Sequence, residues 1–159
     1  TPRTSSAASD VYKRQIRRHR LLETFLVETL GLDWSEIHDE AEELEHAISE
    51  KVLEHLDVFL GNPQHDPHGH PIPTKGGVIR KLPQQTLLDS ALGKKVKIES
   101  ILDQGSDFLK FAQKKGLMPG KMVKVIQRDK MADTIELQQE KKPKFSLGFK
   151  SAEKILVAG

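Results

Sequence analysis

Residues able to hold a divalent cation cluster on one short stretch. His38, Glu42, Glu45 and His46 fall within Ile37 to Ile48. Their spacing is i, i+4, i+7, i+8, so at 100° per residue they share one helical stripe. Ile37, Ala41, Leu44 and Ile48 form an apolar stripe about a third of a turn away. Such a helix can bury one face and carry imidazole and carboxylate donors at its edge. A second pair, His19 and Glu23, is again i, i+4 and lies upstream. Two antiparallel helices could bring all six groups together around metal.

Elements that would position these groups follow from the flanking pattern. Leu22, Phe25, Leu26 and Leu30 recur at helical spacing from Ile16, and Gly31 ends the run. Ser35 is a candidate N-cap for the second helix, which is expected to run to about Ala47. Ser49 is a candidate cap for a third helix over 50–60, stopped by Gly61. Helices this short with wide apolar stripes predict a homodimer.

Residues 1–15 are small, polar and without periodicity. They are read as a non-native or disordered tail, so that the chain is expected to be a fragment. Residues 16–61 form the helical domain. Residues 62–85 carry five prolines among 62–83, together with Gly69, Gly76 and Gly77. They are read as a linker. His65, His68 and His70 lie in it without a carboxylate or thiolate partner at fixed spacing. An extended connector with incidental histidines is favoured there over a small metal site. From residue 86 the pattern turns to period two. Short strands are expected near 96–98, 121–127, 134–137, 145–147 and 155–157, with one helix over 106–115. These predict a small barrel over 86–159. The fold class is therefore α+β.

The 159 residues carry a net charge of +2. Acids dominate from His19 to Gly61, where Arg20 and Lys51 are the only strong bases; lysines dominate from Lys75 onward. The absence of cysteine excludes disulfides and thiolate metal sites. No apolar run approaches the ~20 residues of a membrane span, and a cytoplasmic protein is expected. The scattered lysines are read as a solvated barrel surface rather than a nucleic-acid footprint. The Gly116 to Gly120 stretch lacks the spacing of a phosphate loop.

The stretch RRHRLLETFLVETLGLDWSEIHDEAEELEHAIS, followed by HGHPIP, resembles the metal-binding and dimerisation domain of the diphtheria-toxin-repressor family of metal-dependent transcription regulators. Lys94 to Gly159, with GLMPGKMVKV, resembles the SH3-like domain that ends many of these repressors. That domain also occurs alone as a ferrous-transport accessory protein. The resemblance implies that His19, Glu23 and His38 match ligands of an ancillary site, and that Glu45 and His46 match ligands of a primary regulatory site. Glu42 stands where iron-type members carry Cys and manganese-type members carry Glu. A carboxylate is a harder ligand than a thiolate, and the implied cofactor is Mn²⁺ or Fe²⁺. The resemblance also implies a further ligand from the SH3-like domain. Asp107 lies nearest the matching stretch, with Asp103 and Gln104 as competitors.

The family's winged helix-turn-helix is not in this sequence, so operator DNA is expected to be bound through an N-terminal domain missing from it. The expected function is the metal-sensing and dimerisation part of a transcriptional regulator, with no membrane and no small-molecule substrate. The alternative is a non-regulatory metal-binding module or a ferrous-transport accessory protein. A metal-dependent hydrolase needs an additional general acid or base in a cleft. None is visible, and an enzyme is not expected.

Overall fold

The computed structural model describes residues 2–159 and divides into two compact units, residues 1–81 and 82–159. The first is helical. Helix α1 (Pro2–Glu28) packs against α2 (Ile37–Glu45) and α3 (Glu50–Phe59). The second holds a sheet of β1 (Lys95–Ile101), β2 (Met122–Asp129), β3 (Thr134–Gln138), β4 (Phe145–Gly148) and β5 (Ile155–Ala158), with helices α4 (Ser106–Lys114) and α5 (Phe149–Ala152).

Helix α1 departs from expectation. The stretch 1–15, read as a disordered tail, is helical from Pro2 onward; Thr1 lies outside the described residues. The chemistry permits this. After Pro2 no proline or glycine occurs until Gly31, and the early alanines favour helix. The missing periodicity accords with exposure: residues 8–10 are exposed. Gly31 ends the helix region with φ +71°, a conformation that favours glycine.

Helix α2 is shorter than expected. Ser35 does not cap it, because its hydroxyl donates to Asp33 Oδ1 and its amide donates to the same oxygen at 2.8 Å. The helix starts at Ile37, with Glu36 as N-cap, and ends at Glu45, leaving His46 as the C-cap. Helix α3 is capped by Ser49, whose Oγ accepts from the Val52 amide at 3.2 Å. It closes with Gly61 at φ +79° and the amide of Asn62 donating to Asp57 O at 2.8 Å.

Two small cores hold this unit. Leu22 and Leu26 of α1 meet Ile37 and Ala41 of α2. Leu21 and Leu53 meet Ile72 from the segment after α3. That segment is no extended connector. Its residues 64–72 form a hairpin, with Asp66 N donating to His70 O at 2.9 Å and Ile72 N to Gln64 O at 2.8 Å. Asp66-Pro67-His68-Gly69 turns it. Pro67 supplies the fixed φ of the second turn position, and Gly69, at φ +84°, takes the left-handed one. Arg20 donates to Pro71 O at 2.5 Å and Arg17 to Pro73 O at 3.2 Å, which ties the hairpin to α1.

In the second unit the five strands are antiparallel in the order β4-β3-β2-β1-β5. Alternate residues such as Val96 and Ile98, or Val123 and Val125, are fully buried, the period expected of a sheet with one covered face. Register shifts between Ile98 and Ser100 and between Val125 and Gln127 bend β1 and β2. Leu109 and Ala112 of α4 are buried. The one-turn α5 links β4 to β5. Among the described residues, no helix is long and apolar enough to cross a membrane.

Candidate metal centre

Helix α1 presents His19 and Glu23 one turn apart towards α2. His19 is the hub. Its Nε2 lies 3.2 Å from Glu23 Oε1 and 3.1 Å from His38 Nδ1, while Nδ1 lies 3.0 Å from Glu45 Oε2. The two imidazoles meet edge to face at 4.7 Å. Donor atoms of His19, Glu23 and His38 all lie within 4.8 Å of one another. Burial alone would lower the His19 pKa. The nearby Glu23 carboxylate, and then that of Glu45, outweigh it and raise the value.

Of the six expected helical ligands, the structure thus brings together His19, Glu23 and His38. Glu45 joins them through His19. Glu42 is exposed, and His46 is 76% exposed with Nε2 3.9 Å from Glu45 Oε1. These two do not complete a converging set of three donors among the described residues. Asp107 lies in the other unit, exposed in the first turn of α4. Its competitor Asp103 accepts from Lys154 Nζ at 2.7 Å and from the Gly105 amide at 2.8 Å.

The hairpin adds groups that sequence reasoning passed over. His68 and His70 are buried, not incidental residues of a connector. So is Asp66, which was not singled out at all. His68 Nε2 lies 2.7 Å from Trp34 O, and its Nδ1 lies 3.5 Å from Glu23 Oε2. Asp66 Oδ1 accepts from the amides of His68 at 2.9 Å and His70 at 3.0 Å. Burial raises the Asp66 pKa, and the Glu23 charge raises it further. The signal was in the sequence: Asp-Pro-X-Gly is a turn signature, and its first residue projects a carboxylate.

Glu23 is 1% exposed, and neither of its oxygens is engaged in an aligned hydrogen bond. A buried carboxylate in that state is costly unless a cation or proton compensates it. Carboxylate and imidazole donors around it suit a divalent first-row metal. The residues therefore fit a metal, on the orphaned oxygens and the chemistry of the donor set.

Comparison with known proteins adds the context. Residues 7–74 match the sequence family described as iron dependent repressor, metal binding and dimerisation domain. Residues 85–159 match the FeoA domain. The chain is 48% identical over 58 residues to the iron-dependent repressor IdeR of Mycobacterium tuberculosis, covering 36% of this chain and 25% of that protein. It is 41% identical over 58 residues to the diphtheria toxin repressor of Corynebacterium diphtheriae, covering 36% and 26%. These matches span about a quarter of the length of the curated relatives. Its fold matches a manganese-dependent transcriptional repressor in complex with manganese at TM-score 0.89 and 35% identity, covering 96% of this chain and 72% of that one.

Proposed function

Since the chain belongs to the diphtheria-toxin-repressor family of metal-dependent transcriptional repressors, we propose that it is the metal-sensing and dimerisation portion of such a regulator, responding to Mn²⁺ or Fe²⁺. The observation that carries this reading is the convergence of His19, Glu23 and His38 across α1 and α2. His19 and His38 would supply imidazole nitrogens and Glu23 a carboxylate. A bound cation would supply the positive charge that the buried Glu23 lacks. The all-N/O donor set favours Mn²⁺ or Fe²⁺ over a thiophilic ion.

Glu42, Glu45 and His46 stay as the second, regulatory set. The exposure of Glu42 and His46 is what is expected of ligands completed by another part of the protein. DNA would be read by residues outside this sequence, and a cation shared between the two parts would favour the DNA-competent arrangement. Exposed apolar side chains on α3, among them Val58 and Phe59, support a homodimer formed by the helical unit. The bent five-stranded sheet, with first and last strands adjacent, supports an SH3-like barrel for the second unit. Asp107 is retained as its candidate ligand. A cytoplasmic location accords with a DNA-binding regulator.

A ferrous-transport accessory role is the second reading, favoured by the FeoA match of residues 85–159. The helical unit with its donor cluster argues for the regulator.

The test is calorimetric titration of the chain with Mn²⁺, anaerobic Fe²⁺ and Zn²⁺, with light scattering for oligomeric state. Tight Mn²⁺ or Fe²⁺ binding by a dimer, weakened in His38→Ala, is expected. A monomer that binds none of the three would remove the proposal.

A further inference from the structure

We propose that the outer face of the sheet, where β1, β2 and β3 lie side by side, docks on the phosphate backbone of duplex DNA. The inference rests on the function proposed above only in taking DNA as the polyanion. The face itself belongs to the second unit and uses none of the helical metal ligands.

Charge is the first observation. From Leu82 onward the chain carries 15 lysines and arginines against nine aspartates and glutamates, whereas residues 1–81 carry ten against 14. Along the sequence these lysines are spread over several elements, but strand register gathers three of them. Val96, Ile98, Val123, Val125 and Leu137 are buried, so Lys95, Lys97, Lys124 and Gln138, which alternate with them, stand on the opposite face. Lys124 lies directly opposite Lys95 on one side and Gln138 on the other. Like charges facing each other across strands oppose folding unless something negative lies over them. The neighbouring carboxylates compensate little. Lys97 Nζ lies 3.1 Å from Glu99 Oε1 in a solvated pair. Lys95 Nζ lies 3.9 Å from Glu140 Oε2, beyond hydrogen-bond reach. Lys124 pairs with no carboxylate among the described residues.

Backbone geometry is the second observation, and it is independent of the strands. The chain after β3 turns over 139–142, with the amide of Lys142 donating to Gln139 O at 3.2 Å. Lys141, third in this turn, has φ +61°. Glycine or asparagine is the usual occupant of a left-handed turn position, and a lysine is strained there. The turn sets Lys141 beside Lys95, Lys124 and Gln138 on a surface hollow of about 310 Å³.

Side-chain chemistry selects the occupant. Ammonium groups and a carboxamide offer N–H donors to phosphate oxygens. Lysine lacks the planar fork with which arginine reads a guanine edge, so the contact is independent of sequence. β1, β2 and β3 contain no aromatic residue, and the face lacks the platform on which single-stranded bases stack.

The test is fluorescence anisotropy of a labelled mixed-sequence duplex of about 24 base pairs, titrated with the full chain between about 50 and 200 mM NaCl. Three phosphate contacts predict an affinity that falls about 40-fold over that range. Lys95→Gln, Lys124→Gln and Lys141→Gln combined should weaken binding at least about 10-fold at the lower salt. Lys114→Gln, Lys130→Gln and Lys150→Gln combined remove the same charge from other elements and should leave affinity within about two-fold. Lys141→Asn suits the left-handed turn, keeps the strands intact and should reduce the salt slope by about one. Equal losses in the two triple variants, no binding at the lower salt, or displacement of the duplex by poly-glutamate as readily as by unlabelled duplex would each overturn the inference. None of these readouts involves metal, so each would leave the proposed function standing. Duplex binding with the expected variant pattern by a chain that takes up no Mn²⁺ or Fe²⁺ would support this inference and remove that function.

Discussion

His19 Nδ1 and Glu45 Oε2 lie 3.0 Å apart, although spacing along α2 groups Glu45 with Glu42 and His46. One imidazole therefore contacts ligands of both expected metal sets. His19→Ala should remove the α1–α2 metal position and release Glu45. Mn²⁺ affinity should fall by at least about 100-fold, the upper end for losing mere outer-shell partners. Calorimetry on the variant checks this, with Glu45→Gln as the control that keeps the imidazole.

Ile72 packs with Leu21 and Leu53, so the hairpin is part of the core. Ile72→Ala should cost about 2–5 kcal/mol, as for other large-to-small changes in a core. Urea unfolding followed by Trp34 fluorescence reads it, because Trp34 is buried in the same unit. A midpoint unchanged from wild type would mean that the hairpin only lies over the helices.

Lys154 bonded to Asp103, and the Gly105 amide after it, hold the Asp103 carboxyl below the usual aspartate range. A depressed acid contributes stability that is present above its unfolded pKa and lost as pH falls through the folded value. The second unit should therefore lose this contribution only below the ordinary aspartate range. NMR titration of the Asp103 carboxyl should show the low value, and Lys154→Met should move it upward.

Arg128 donates from Nη2 to Leu88 O at 2.6 Å and Ser90 O at 2.7 Å, and from Nε to Leu88 O at 3.0 Å. It fastens the segment before β1 onto β2. Arg128→Met keeps the aliphatic stem and strands two carbonyls, and should destabilise the second unit by about 1.5–3 kcal/mol. Thermal melting would read the loss, and Arg128→Lys should restore only part of it.

Legibility of the sequence depended on how local the cause was. The strands and α4 were readable because burial alternates with the period of their own residues. His19, Glu23 and His38 were readable because i, i+4 spacing fixes a helix face. Ser35 was misread because Asp33, two residues earlier, competes for its hydroxyl and amide. Asp66 was missed and His68 set aside for a different reason. Their partner, Glu23, belongs to a helix at the other end of the unit, and no spacing rule reaches that far. Turn chemistry at Asp66 to Gly69 marked the fold of the hairpin, but not what it would face.

The hairpin also determines where the helical unit can be cut. Its last helix stops at Phe59, yet Gly69 to Pro73 are buried. A fragment ending at Gly61 would expose Leu21 and Leu53 to water along with Glu23, and would be prone to aggregate. Excision for separate study has to carry the chain through Pro73. A protease cutting the intact protein in the exposed stretch from Thr74 to Gly76 should leave the helical unit with its hairpin in place.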